Sequence, residues 1–282
     1  MNDNVNKQVF ILGAGSLVTP FLAQRLSQLN YHGLTLSRTP PPPHPPIPPD
    51  FPWQACDLEE NNWQAETDSI IVSVMPLWIT AKIIDRLLPA KQLIAFSSTS
   101  RFTKIHSPSH SERHIAQKLI NAEDDIMEQC HKNHLPCTIL RPTMIYGAGR
   151  DQNITRIAQF IRRWRFFPIT YPGNGLRQPV HADDLAQATV SAIANRSAYY
   201  NCFNLTGGET LTYREMVARI FQLLELKPII TPVPIEILRK LPYFSRNTNI
   251  AQFLRMNENL AFDASDAKTI LEFNPRVFLS LL

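Results

Sequence analysis

Two glycines lie close together near the start of the chain, at Gly13 and Gly15, directly after the apolar residues 8–12. An amphipathic pattern follows within a few residues. A strand, a glycine turn and a helix start in this order form a cradle for pyrophosphate, because Gly13 permits the tight turn and Gly15 lets backbone N–H groups approach the phosphates. Val18 occupies the third glycine position of this pattern, so we expect looser helix–strand packing. The alternative is a strand–turn–helix without a ligand. The residues expected at the cofactor are Gly13, Gly15, Ser16 and Leu17.

The end of the second apolar run bears on the choice of dinucleotide. A carboxylate at this position bonds the ribose 2′-hydroxyl of NAD, whereas an arginine accommodates the 2′-phosphate of NADP. Here the sequence reads Leu36-Ser37-Arg38-Thr39. Because no acidic residue is present and Arg38 is, we predict NADP(H), with NAD as the less favoured cofactor.

Predicted strands and helices, which must position these residues, alternate along the first half of the chain. Nearly continuous apolar strands separated by helices indicate a parallel sheet covered on both faces. The segment 40–49 is mostly proline and is expected to be a stiff loop rather than a helix. The predicted strands are 8–12, 34–37, 70–75, 92–97 and 136–141, and the predicted helices are 19–30, 77–88 and 111–134.

The pattern changes after residue 150. Helices are predicted at 153–165, 182–195, 211–225 and 264–271, with an irregular stretch at 168–179 and a second proline-rich link before the last helix. We therefore expect an α/β protein with a doubly wound Rossmann sheet in residues 1–150, and a small α/β substrate-binding region in residues 151–282 that returns some strands to that sheet.

Bulk composition excludes several other classes. The net charge of +4 is mild and no long basic block suggests nucleic acid. Four arginines cluster in the predicted helix 153–165, where a solvated helix face and an anionic-ligand or membrane-surface role both remain open. The four cysteines have no Cys-x-x-Cys spacing, so no metal or disulfide framework is expected.

No apolar run reaches the roughly 20 residues that span a bilayer, and no signal peptide is visible. The cytoplasm is the expected location.

Several signatures occur in the order found in the extended short-chain dehydrogenase/reductases, the family of nucleotide-sugar epimerases, dehydratases and reductases, and the sequence resembles that family over most of its length. The resemblance implies a Rossmann fold, a nicotinamide cofactor, a nucleotide-sugar substrate, and a possible homodimer formed through the helix at 111–134. It also implies that Asp57 and Leu58 lie at the adenine. The signatures are Gly13-Ala14-Gly15, Asp57-Leu58, Phe96-Ser97-Ser98-Thr99, Leu140-Arg141-Pro142, Tyr146-Gly147, Arg177 to Leu185, and Phe203-Asn204-Leu205 before Gly207-Gly208.

The family's catalytic Tyr-x-x-x-Lys pair is not present as such. No tyrosine occurs between Tyr31 and Tyr146. His114 and Lys118 have the right spacing, and a histidine is able to transfer a proton near neutral pH. The family also has a glutamate four residues after the lysine. Aligning on Glu123 instead places Ile115 and Leu119 at the catalytic positions and removes the pair.

Other positions matched by the resemblance are expected to meet substrate. Thr99 corresponds to the hydroxyl that contacts the reacting oxygen. Lys104 stands where the family often has a glycine, and we hypothesise that it acts as a cation at a developing oxyanion. Arg177 and Arg255 correspond to arginines that hold the diphosphate, which needs a planar, permanently charged fork.

The resulting hypothesis is an NADP-dependent oxidoreductase or epimerase acting on a nucleotide-linked keto-sugar. The stretch from Ser97 to Lys104 resembles the same stretch in one branch of this family, whose members are encoded among bacterial surface-polysaccharide genes. Two alternatives remain: a non-catalytic NADP(H)-binding sensor or structural subunit, and a reductase of a non-nucleotide carbonyl compound.

Overall fold

The fold is built on a seven-stranded, entirely parallel sheet. In this computed structural model, which describes residues 7–234, 253 and 255–279, the strand order is β3-β2-β1-β4-β5-β6-β11. The strands are β1 (Gln8–Leu12), β2 (His32–Ser37), β3 (Trp53–Ala55), β4 (Ile70–Ser73), β5 (Gln92–Phe96), β6 (Cys137–Pro142) and β11 (Asn201–Leu205). The order reverses between β1 and β4, which is where ligands bind in open α/β sheets.

Two helical layers cover the sheet, because its central strands are apolar on both faces. One layer contains α1 (Thr19–Gln28), α7 (Ala182–Ala192) and α9 (Ser265–Ile270), and the other contains α2 (Leu77–Lys82), α3 (Ile84–Leu87) and α5 (His110–Lys132). The predicted doubly wound α/β fold is confirmed.

The second half of the chain adds a third apolar cluster. It is formed around α6 (Ile154–Trp164) and α8 (Tyr213–Leu223). Short strands tie this region together: β7 (Ile145–Tyr146) pairs with β10 (Val180–His181), β9 (Leu176–Arg177) with β12 (Leu211–Thr212), and β8 (Phe167–Thr170) with β13 (Ile230–Val233). A four-residue helix, α4 (Ser100–Thr103), follows β5.

Most predicted elements are present, with two differences. The predicted helix 77–88 is broken at Ile83, whose φ of −106° ends α2 before α3 begins. The segment predicted to be irregular at 168–179 contains β8 and β9. The predicted proline-rich link before the last helix lies largely outside the described residues. Residues 40–49 form neither helix nor strand, as predicted.

Candidate functional site

Gly13 makes the sharp turn at the end of β1. Its φ is +111°, and a Cβ there would lie 3.1 Å from the backbone nitrogen of Met75 and 3.2 Å from the carbonyl carbon of Val74. Its N–H donates to the carbonyl oxygen of Leu36 at 2.8 Å. The turn therefore lies against the ends of both β4 and β2, and only glycine fits it without strain.

The space around Gly15 is open, in contrast to the crowded backbone around Gly13. A Cβ built there would meet no heavy atom within 4 Å, so packing within the protein does not require glycine at this position. An open backbone at the start of a helix is what close approach by a phosphate requires. The residues of this turn therefore fit a dinucleotide.

The start of α1 is suited to an anion. Val18 at the N-cap supplies no side-chain acceptor, and the first turn contains no acidic residue among the described residues. The Ser16 hydroxyl accepts from the N–H of Val18 at 3.3 Å, and the Thr19 hydroxyl donates to the carbonyl of Gly13 at 2.8 Å. The turn is thus fixed by its own side chains, while the positive end of the helix dipole is left without a carboxylate.

Arg38 is exposed just beyond the end of β2, close in sequence to Leu36, which accepts the hydrogen bond of Gly13. No ion pair among the described residues involves Arg38. Asp57 accepts the N–H of Glu59 at 3.0 Å, and so caps its own loop. Leu58 is buried in the core.

Thr99 lies at the carboxyl end of β5 and is 5% exposed. Both its N–H and its hydroxyl donate to the carbonyl oxygen of Pro142, each at 3.2 Å. While this bond is made, the hydroxyl accepts from a ligand but cannot donate to one.

The orientation of α5 decides between the two alignments of the catalytic pair. Glu123 is 2% exposed; it accepts the hydroxyl of Ser97 and pairs with Arg141 and Arg101. Positions 115, 119 and 123 are four residues apart and therefore share this face of the helix. Leu119 is buried and Ile115 half-buried.

His114 and Lys118 lie on the exposed side of α5. The ammonium group of Lys118 lies 5.5 Å from the ring centroid of Trp78 on α2. The burial pattern therefore favours the alignment on Glu123, in which apolar Ile115 and Leu119 replace the catalytic pair, and it leaves His114 and Lys118 on the exposed side of the helix.

A cavity of about 310 Å³ lies beside a second group of charged residues. Glu112, in the first turn of α5, is 7% exposed and accepts the Ser107 hydroxyl at 2.5 Å. It also pairs with Arg255, which lies in a 3-10 helix at Arg255–Asn257. The cavity is lined by Phe102, Thr103, His106, Ser107, Pro108, Arg255, Glu258, Asn259 and Leu260.

Lys104 belongs to the same group and is half-buried. Its pKa is lowered from the usual 10.5, first by burial and then by the positive charge of Arg255, with Glu112 opposing the change. Lys104 and Arg255 therefore share the Glu112 carboxylate, and a second carboxylate, that of Glu258, lines the cavity.

Arg177 is 3% exposed and is committed to the backbone. It donates to the carbonyls of Leu176 and Glu258 at 2.7 Å each, and to that of Arg255. Burial lowers the pKa of its guanidinium to about 10. Its Nε has no partner among the described residues. Arg177 is therefore enclosed by the protein and not open to a diphosphate. Its guanidinium instead holds the segment that carries Arg255.

Sequence reasoning missed Glu112 and Ser107. They lie far along the chain from Arg255 and only the fold brings the three together, so no local spacing reveals the group.

In the described part of the chain, no three His, Cys, Asp or Glu residues are grouped so as to hold a metal ion. No described helix is both long and apolar enough to cross a bilayer.

A family model matches part of the chain. Residues 88–205 match the model of the NAD dependent epimerase/dehydratase family, and the predicted resemblance to that family is thereby confirmed.

Among curated proteins, the chain is 29% identical over 115 residues to the mitochondrial NADH dehydrogenase (ubiquinone) 1 alpha subcomplex subunit 9 of Dictyostelium discoideum. It is 27% identical over 107 residues to an uncharacterized protein of Sinorhizobium fredii. These alignments cover 40% and 38% of this chain, but only 29% and 26% of the respective relatives.

Solved structures resemble the whole chain. Epimerase Mth375 of Methanothermobacter thermautotrophicus superposes with a TM-score of 0.73 at 14% identity, covering 96% of this chain and 88% of that one. The UDP-glucuronic acid 4-epimerase of Bacillus cereus, solved with UDP-glucuronic acid and NAD, gives 0.70 at 15% identity, with 96% and 94% covered. At this identity the similarity establishes the fold.

Proposed function

We propose that this protein is a nicotinamide-dinucleotide-dependent epimerase or reductase acting on a nucleotide-linked keto-sugar. The observation that carries the proposal is the turn from Gly13 to Ser16, where the protein's own packing requires the first glycine but not the second. The open backbone at Gly15 lies at an uncapped helix start and at the reversal point of the sheet, where a pyrophosphate binds in this fold.

NADP(H) is the proposed form of the cofactor. Arg38 is exposed and unpaired among the described residues at the end of β2, and no carboxylate stands in the segment 36–39. Several structural neighbours were solved in complex with NAD, so the proposal of NADP(H) rests on Arg38 alone.

The proposed substrate site is the cavity beside Arg255. Arg255 lines it, and the ammonium group of Lys104 lies near the Arg255–Glu112 pair, so a guanidinium and an ammonium are available to a diphosphate. Neighbours with the same fold are named as enzymes of UDP-sugars, which supports a nucleotide-linked sugar here. A role in surface-polysaccharide synthesis rests on the sequence resemblance only.

Two side chains are proposed to act on the substrate. Bound nicotinamide supplies or removes hydride at carbon. Lys104 supplies the proton or the positive charge at the sugar oxygen, since its ammonium group is half-buried near Arg255, and burial lowers its pKa from the ordinary value. Thr99 orients a substrate hydroxyl by accepting its hydrogen bond.

Thermal unfolding with added ligands tests the proposal first. A ligand at about 100 times its Kd stabilises the folded state by roughly 2.7 kcal/mol. We expect NADPH to raise Tm more than NADH, and UDP to raise it further. Arg38→Ala should remove the preference for NADPH, whereas Arg196→Ala, which changes another exposed arginine, should not. Absence of stabilisation by either dinucleotide would refute the proposal.

A non-catalytic dinucleotide-binding protein is the second candidate. Ile115 and Leu119 occupy the stripe of α5 that also carries Glu123, so this stripe has no acid or base at those positions. The Dictyostelium relative is named as a subunit of a larger complex. Stabilisation by NADPH without stabilisation by UDP, and without turnover of keto-sugars, would favour this candidate. Turnover of simple carbonyl compounds unaffected by UDP would favour the non-nucleotide reductase.

A further inference from the structure

The outward side of α6 carries a concentration of positive charge. Arg156, Arg162, Arg163 and Arg165 are all exposed, whereas Ile154, Ile157, Phe160 and Ile161 are buried on the opposite side. No acidic residue occurs in 154–165. None of the four arginines forms an ion pair with any residue that the structure describes.

A large aromatic side chain lies beside one of these charges. Trp164, in the last turn of α6, is 49% exposed. The guanidinium of Arg163 lies 5.3 Å from its ring centroid, and Phe160 lies beneath it with ring centroids 6.4 Å apart. The indole is therefore supported from the core side and presents its outer half to the surroundings.

The segment that adjoins the end of α6 carries an exposed aliphatic residue. The N–H of Phe167, shortly after α6, donates to the carbonyl of Ile229 at 2.9 Å, so the two segments adjoin. Ile229 is 50% exposed. Lys227 and Glu225 are exposed just before it, and their charges cancel. We define the α6 face as Arg156, Arg162, Arg163, Trp164, Arg165 and Ile229.

We propose that the α6 face docks on the surface of an anionic lipid bilayer. Unpaired arginines beside a negatively charged membrane are attracted to it within a Debye length. Tryptophan favours the headgroup level, where its apolar body and its N–H are both accommodated. The aliphatic part of an arginine side chain lies along the apolar surface, while its guanidinium group reaches the lipid phosphates. The arrangement fits a helix that rests on a membrane rather than crossing it.

The exposed apolar residues favour lipid over nucleic acid as the partner. Phosphate contacts with nucleic acid are made by arginine and lysine, and an aliphatic side chain such as Ile229 contributes nothing to them. In a bilayer interface, both Trp164 and Ile229 gain from leaving water. The proposal is independent of the catalytic function proposed above.

Vesicle flotation with the full chain tests the proposal. The protein is mixed with vesicles of phosphatidylcholine alone, or of phosphatidylcholine and phosphatidylglycerol in equal parts. We expect binding only to the second kind, with release at high salt. Each arginine near the surface contributes about fivefold to partitioning, so Arg162→Glu with Arg163→Glu should lower it at least about a hundredfold. Trp164→Ser should lower it several-fold and remove a blue shift of tryptophan emission.

A matched charge reversal elsewhere serves as the control. Lys91→Glu with Lys132→Glu makes the same change in net charge at exposed positions near the amino ends of β5 and β6, and should leave binding nearly unchanged. All variants must retain the Tm of the parent; if the arginine pair does not, Arg156→Glu with Arg165→Glu replaces it. The proposal fails if anionic vesicles are not bound, or if the control loses binding equally. It also fails if heparin is bound through the arginines with no contribution from Trp164.

Discussion

Glu112 and Arg255 form an ion pair that joins the start of α5 to the 3-10 helix near the end of the chain. Their side chains are only 10% and 17% exposed. The Ser107 hydroxyl donates to the same carboxylate oxygen, Oε2, so two donors converge on that atom. This pair fixes the arginine at the wall of the proposed substrate cavity, and it makes Glu112 a positioning residue.

Replacing Glu112 with Gln should cost both stability and substrate binding. Removing one partner of a buried pair leaves an uncompensated charge and costs about 3–5 kcal/mol. We expect a lower free energy of unfolding in urea, and a weaker response of Tm to UDP. Glu59→Gln breaks the exposed pair with Lys82 and should cost less than about 1 kcal/mol. Equal losses in the two variants would contradict the role assigned to Glu112.

The two glycines of the phosphate turn should respond differently to alanine. Gly13→Ala places a Cβ against the backbone at positive φ and should destabilise the fold by about 1–2 kcal/mol. Gly15→Ala meets no protein atom and should leave stability within about 0.5 kcal/mol, while weakening dinucleotide binding. Urea unfolding and fluorescence titration with NADPH separate the two effects. Unchanged NADPH affinity in Gly15→Ala would remove the turn from the cofactor site.

The burial of Lys104 predicts a pH dependence of stability. Its pKa in the folded protein lies below the ordinary 10.5, so between these two values the unfolded chain binds more protons than the folded one. The free energy of unfolding should therefore gain a contribution that rises with pH through this window. Lys104→Met should remove that contribution, and Lys118→Met, at an exposed position, should not. Identical pH profiles for the parent and Lys104→Met, measured by urea unfolding, would show that Lys104 is not desolvated.

Turnover of a keto-sugar should depend on Thr99 and Lys104 and not on the exposed pair of α5. We expect Thr99→Val and Lys104→Ala each to lower kcat about a hundredfold. His114→Ala and Lys118→Ala should leave it within about twofold, since both side chains face outward. Steady-state kinetics with NADPH and a UDP-linked keto-sugar provide the measurement. A large loss in His114→Ala would restore histidine as the acid–base residue.

Local pattern predicted the central architecture because the buried strands are continuous apolar runs and the helices between them are periodic. The β8 segment was missed because it is short and contains Pro168, and it gains its strand conformation from β13 in a separate sheet. The face of α5 was not predictable from spacing alone, since two alignments were open. Contacts from Ser97 and Arg141 to Glu123 favour one of them.

Only part of the candidate site was predictable from the sequence, because only part of it is formed by residues close together in the chain. The turn at Gly13 and Gly15 is local in sequence and was recognised from it. The charged group around Arg255 depends on residues 143 positions apart, and the enclosure of Arg177 depends on carbonyls of the same distant segment. These contacts exist only once the chain has folded.

The last strand of the main sheet, β11, comes from the second half of the chain and pairs in parallel with β6 over five residues. A fragment ending at residue 150 would therefore leave β6 as an open edge strand, with unpaired N–H and C=O groups and apolar side chains on both faces. Such a fragment would recruit other chains, so the amino-terminal half is expected to aggregate when expressed alone, although it contains the whole dinucleotide turn.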